Sequence, residues 1–302
     1  MKKRIIAILA IGLIACLTLV GLVSCKDTRS GYPDGDKYSV GNGEYAASSV
    51  RSINIAWTAG SATITASNEY TSISISEKNS MSGDDWALHR YLDPDGTLWI
   101  KPVSANVEDD EIPSSGSWTT KTLEITMPQI SLESFYVENH GAEIHVSGIN
   151  AVSFETSNTG YGTGVSNTSV SGELKMYTTG LTGNISYEGA ASGPVSISTP
   201  YGTASFISKT IPQSLEVHGH GSVFAAIPST AEFTITFTAG TKFTYGASFD
   251  LVDAPNPVGY DNQYLTKKCG SGAIPIKLIC STKTVFKSTT NNTEITGYHV
   301  DA

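Results

Sequence analysis

Residues 131–160 read SLESFYVENHGAEIHVSGINAVSFETSNTG, and the fold follows from how that stretch repeats. Apolar residues alternate over Phe135-x-Val137 and again over Ala142-x-Ile144-x-Val146, with Gly141 between them. Alternation at period two marks a strand with one buried face. Strand starts of this kind recur at Phe135, Val152, Leu174, Val195, Leu215 and Phe233, in steps of 17, 22, 21, 20 and 18 residues. A period near twenty with small drift predicts an all-β chain, a β-solenoid with one coil per repeat over residues 129–250. Each coil holds two strands, and glycine at the corners permits the bends. A right-handed, β-helix-like coil is expected by analogy with other folds. An antiparallel sandwich or barrel is the competing reading, because short strands between turn residues also fit it.

The chain has 302 residues and a formal net charge of −9. Without Lys2, Lys3 and Arg4 the remainder carries −12, which argues against a nucleic-acid partner, since nothing would neutralise phosphates. Those three cations precede an uncharged apolar run, Ile5 to Val23, that ends in Leu22-Val-Ser-Cys25. A positive start and an apolar run make an export signal over residues 1–24. The ending resembles the bacterial lipobox, in which the cysteine is acylated (palmitate is the expected chain) and becomes the mature amino terminus. Cys25 is therefore the lipidation candidate, and the expected location is extracytoplasmic, held on the bacterial membrane by its lipid. An uncleaved membrane-spanning anchor is the alternative. Cys16 sits inside the apolar run and reads as incidental. Residues 25–45 are polar and without period, as in a flexible tether.

Residues 46–128 read as an amino-terminal β block. Ile53, Ile55 and Trp57 alternate, as do Ala62, Ile64 and Ala66, and Asp93-Pro-Asp-Gly96 reads as a hairpin turn. Residues 251–302 carry a terminal coil or cap, with Ile274, Ile276, Leu278 and Cys280 alternating, and a polar tail. Val50-Arg-Ser-Ile-Asn-Ile-Ala-Trp57-Thr-Ala-Gly60, Asp95-Gly-Thr-Leu-Trp-Ile-Lys101, Lys121-Thr-Leu-Glu-Ile-Thr-Met-Pro128 and the coil start at Phe135 together resemble the bacterial "putative adhesin" β-solenoid proteins, a group of domains of unknown function. The resemblance spans roughly Val50 to Lys287. It implies an extracytoplasmic repeat domain with no assigned catalytic site. Cys269 and Cys280 depart from that pattern.

Catalytic signatures are mostly absent: there is no Gly-x-Ser-x-Gly, no His-Glu-x-x-His and no phosphate-binding glycine loop. His218 and His220 have metal-ligand spacing for one strand face but need a third ligand, with His145 or Glu216 as candidates by position, so they are weak metal candidates. Outside the cytoplasm a Cys269–Cys280 disulfide is a candidate, although a simple hairpin would not place the two opposite each other. The acidic run from Val107 to Trp118 reads as a solvated loop, with Ca²⁺ binding as the alternative. Tyr161, Tyr177, Tyr187 and Tyr201 fall near coil corners, as packing or as a binding strip. No cofactor is expected. The sequence therefore reads as a non-enzymatic, adhesin-like surface lipoprotein contacting envelope glycan or a membrane protein. An accessory lipoprotein of envelope homeostasis is the alternative, and a glycan-active β-helix enzyme is less favoured.

Overall fold

The structure, a computed structural model, describes residues 32–57, 60–78, 82–107, 121–140, 142–256 and 263–290. The signal segment, Cys25, the acidic run after Val107 and the last twelve residues lie outside the described residues. The described chain is all β, with short 3-10 turns and no α-helix. In chain order the strands are β1 (Ser39–Val40), β2 (Gly43–Ala46), β3 (Ser52–Trp57), β4 (Ser61–Ala66), β5 (Ser72–Lys78), β6 (His89–Leu92), β7 (Thr97–Lys101) and β8 (Thr122–Met127). They continue as β9 (Ser131–Asn139), β10 (Ile144–Ser147), β11 (Asn150–Asn158), β12 (Gly162–Val170), β13 (Leu174–Thr178), β14 (Asn184–Ala191), β15 (Pro194–Thr199) and β16 (Ala204–Ser208). The last are β17 (Ser214–Gly219), β18 (Ser222–Ile227), β19 (Phe233–Thr238), β20 (Lys242–Tyr245), β21 (Val252–Ala254), β22 (Tyr264–Cys269), β23 (Ile274–Ile279) and β24 (Lys283–Ser288). All 24 join in one largely parallel, mixed sheet.

Pairing resolves this sheet into two ladders, because each pass of the chain lays one strand in each. In the first, β7, β3, β9, β11, β13, β15, β17, β23 and β19 pair in parallel in that order. In the second, β8, β4, β10, β12, β14, β16, β18, β24 and β20 do the same. A short third side closes the middle passes, where Leu132, Ala151, Val170 and Ala191 align and point inward.

In-register pairing stacks like upon like. One buried column of the first ladder runs Leu98, Ile53, Phe135, Phe154, Leu174, Val195, Leu215, Ile276 and Ile235. Phe135 and Phe154 stack at 5.1 Å. Val152, expected to start a strand inward, is 54% exposed, and Phe154 takes the column position. The bends are held by buried polar side chains as well as by glycine. Asn158 Nδ2 donates to the carbonyls of Gly162 (2.7 Å) and Ala142 (3.0 Å), and its Oδ1 accepts from Gly160 N at 2.7 Å. Thr199 Oγ1 donates to the Gly183 carbonyl and accepts from Gly202 N. Gly180 is required by proximity: a Cβ there would lie 1.5 Å from the Gly160 carbonyl oxygen of the preceding pass.

Three expectations are corrected by this pairing. Residues 46–128 are no separate block, since β3 and β4 pair directly with β9 and β10 and continue the same ladders. The segment expected as a tether is folded from Tyr32 onward: β1 and β2 pair with β6 and β5, and the Tyr32 hydroxyl donates to the Val103 carbonyl at 3.0 Å. Of the terminal coil or cap expected over residues 251–302, β21 and β22 do lie at an end of the first ladder, whereas the pass of β23 and β24 does not. β23 and β24 lie between β17/β18 and β19/β20, so the last described pass is interior. The opposite end has the same inversion, with β7/β8 outside β3/β4. Antiparallel strands then finish the first ladder with β6 and β1 at one end and β22 and β21 at the other, while β5 and β2 finish the second ladder at its β8 end.

An interior last pass predicts that Leu278→Ala destabilises by about 2–5 kcal/mol, as for any fully buried leucine. Chemical denaturation measures it. A loss well under 1 kcal/mol, as at a frayed end, would contradict the threading.

Candidate functional site

The outer face of the second ladder carries a groove of about 240 Å³. Its floor follows from register. Thr63, His145, Gly164, Ser186 and Ser205 align in one outward row, and Thr65, Ser147, Ser166, Glu188 and Ile207 in the next. Small side chains keep the floor low, and Gly164 leaves a gap between His145 and Ser186. Ser166 Oγ donates to Ser147 Oγ at 3.2 Å, which links neighbouring passes. His145 Nε2 lies 3.0 Å from Glu143 Oε2 at the rim. Beyond Ile207 the same face turns apolar, with Phe224, Ala226 and Val285 buried together. The groove is thus a band of hydroxyls stopped by an apolar end, and it offers donors and acceptors in equal measure.

The outer face of the first ladder is charged instead. Tyr136, Glu155, Lys175, Ser196, Glu216 and Lys277 align across successive passes. Lys277 pairs with Glu216 at 3.0 Å, and Lys175 with Glu173 at 2.9 Å. These exposed pairs contribute little to stability.

The individual candidates fall as follows. His218 and His220 are exposed, and His218 has Ser198 and Ile279 as register neighbours. His145 lies in the other ladder and Glu216 is engaged by Lys277. Among the described residues no group of three His, Cys, Asp or Glu side chains could hold a metal ion. Cys269 and Cys280 are free thiols. They flank β19 from opposite sides: Cys269 sits at the level of Phe233, while Cys280 N donates to Thr238 Oγ1, five residues on. That separation is about 16 Å along the strand alone, well beyond the roughly 7 Å a disulfide allows between Cα atoms. Burial pushes the Cys269 thiol up. Tyr187 belongs to the core, stacked on Phe206 at 5.4 Å with its hydroxyl against the Thr168 and Ala190 carbonyls, whereas Tyr161, Tyr177 and Tyr201 are exposed.

Lys121 was not singled out by the sequence, yet it is fully buried. Its Nζ donates to Glu77 Oε2 at 2.8 Å and to the Trp86 carbonyl at 2.7 Å, and lies 5.3 Å over Trp57. Burial pushes its pKa down and Glu77 pulls it back up. Glu77 also accepts from Leu88 N, so this ion pair fastens the 82–107 segment to the second ladder. Glu77 lines a pocket of about 490 Å³, but its carboxylate is committed to Lys121 and to Leu88 N, so the work of the pair is structural. Lys121→Met strands the Glu77 carboxylate and is expected to cost about 3–5 kcal/mol by thermal or chemical unfolding. The double replacement Lys121→Met with Glu77→Leu should recover most of that loss.

No protein-family model matches the chain, and no curated protein matches it. Its structure is similar to a crystal structure described as a "putative cell adhesion protein" from Clostridium sporogenes, at 10% identity over 83% of this chain and 99% of that one, with a TM-score of 0.31.

Proposed function

We propose that the stack is a β-solenoid and that the protein is a non-enzymatic, adhesin-like surface module contacting envelope glycan. In this reading a lipidated Cys25 holds it on the outer side of the bacterial membrane. The observation that supports glycan contact is the groove on the second ladder. Its hydroxyl rows repeat at the strand spacing, about 4.8 Å, on a rigid parallel ladder. A hydroxyl both donates and accepts, so such a row meets a polyol chain without demanding one orientation. Each contact is weak, and affinity comes from the number of passes engaged together.

The test is co-sedimentation of the protein with isolated envelope polysaccharide. Ser186 points outward over the groove floor, so Ser186→Tyr fills the groove without touching the core. Saturable pelleting that falls at least tenfold in Ser186→Tyr, with unchanged circular dichroism and melting, is the expected result. Absence of pelleting by the native protein, or equal pelleting by the variant, would overturn the reading.

A further inference from the structure

At the β7 end of the first ladder, four aromatic rings, two lysines and two aspartates line a pocket of about 370 Å³. Tyr91 and Trp99 face each other across the β6–β7 pair. Tyr38 reaches in from the segment before β1, its ring 5.5 Å from Tyr91 and 4.6 Å from Tyr32. The rings are fixed in place: Tyr32 by its bond to the Val103 carbonyl, Trp99 by donation from Nε1 to Asp93 Oδ2 at 2.9 Å. Burial pushes the Tyr38 hydroxyl up to about 12, while all four rings stay partly exposed at the pocket wall.

The pocket carries two lysines and two aspartates, and only one of these charges has no close partner among the described residues. Asp93 is already engaged, by Trp99 and by the backbone N–H of Thr97 at 2.8 Å. Lys37 is paired with Asp34 at 3.0 Å. Lys101 is different. Its Nζ lies 5.6 Å over Tyr32 and 6.0 Å over Trp99, and no carboxylate among the described residues is within ion-pair distance. Burial pushes its pKa below the usual lysine range, against the pull of Glu138. Lys121, fully buried where Lys101 is partly exposed, has Glu77 to compensate it. A partly buried cation set over two ring faces, with no carboxylate in contact, can take an anion from outside.

We propose that this pocket binds a carboxylate-bearing pyranose, an acidic sugar residue of a glycan, with its C–H face on the aromatic wall and its carboxylate on Lys101. A pyranose presents flat faces of polarised C–H bonds, which suit the electron-rich faces of tyrosine and tryptophan. The volume is in the range of small-ligand sites. One lysine without a partner matches one negative charge, whereas the Asp34 and Asp93 carboxylates beside it disfavour a polyanion. The pocket extends the glycan-contact reading to a second place, and it shares no residue with the groove, so the two readings fail separately.

The test is titration of the full chain in detergent with methyl glucuronide and methyl glucoside, followed by tryptophan fluorescence and calorimetry. Saturable glucuronide binding, at least tenfold tighter than glucoside, is expected. Lys101→Met should erase that difference, Lys101→Arg should restore much of it, and Tyr91→Ala should weaken both sugars. Absence of saturable glucuronide binding, equal binding of the two sugars, or full glucuronide affinity in Lys101→Met would overturn the proposal. Competition by acetate or inorganic phosphate as effective as by glucuronide would overturn it in favour of a simple anion site. Glucuronide binding by a native chain that fails to pellet with polysaccharide would support the pocket while overturning the groove.

Discussion

A parallel strand in this protein has no partner within its own pass. Every backbone donor and acceptor on its edges must be met by the pass above and the pass below, and every inward side chain must be covered by the same neighbours. The column from Leu98 through Phe135, Phe154 and Leu215 to Ile235 is the outcome of that demand, since only like-sized apolar residues in register bury one another at each level. The corners meet the same demand with buried Asn158, Thr178 and Thr199, whose side chains satisfy the amides and carbonyls that bending frees. Where passes come closest, at Gly160 and Gly180, even a methyl group has no room.

The demand is hardest to meet at the ends, where one face has no neighbour. Both ends use the same device, an inversion of chain order. The chain lays β7/β8 outside β3/β4, and it leaves a place between β17/β18 and β19/β20 that β23/β24 fills last. At one end the pass β19/β20 is thereby pinned by chain that arrives later, and at the other β7/β8 is laid over strands already in place. Short antiparallel strands then blunt the edges, two residues long at β1 and three at β21, which limits recruitment of other chains. The cost is kinetic: the final pass must enter between two others, and non-local pairing of this kind is slow.

Strand existence was legible because alternation is local. The inward residues of β9, β13, β15, β17 and β23 could be named from period two alone. Val152 turned outward because the pairing breaks there: it runs through Ala151 with Leu132 and resumes at Ser153 with Ser134, and period two does not carry across that break. The threading was not legible for a different reason. Each pass presents the same inward pattern, so periodicity carries no information on which pass neighbours which. The groove was anticipated only as a polar outer face, since its depth depends on Gly164 lying beside Ser186 across passes. The aromatic pocket was missed because Tyr32 and Tyr38 lie in a stretch with no period, far in sequence from Tyr91 and Trp99. The buried Lys121–Glu77 pair was missed because single charges in a polar segment normally face water.

Both proposed contact surfaces depend on the stack order, because each is assembled from residues of separate passes held in register. Disulfide trapping tests that order most directly. In a background with Cys269 and Cys280 replaced by serine, Glu216→Cys with Lys277→Cys places thiols on paired strands, and Glu216→Cys with Thr236→Cys places them about two strand spacings, or 10 Å, apart. The interleaved order predicts rapid oxidation of the first pair and none of the second. Preferential bonding of the second pair would mean that the passes stack in chain order, and it would contradict the interleaved threading.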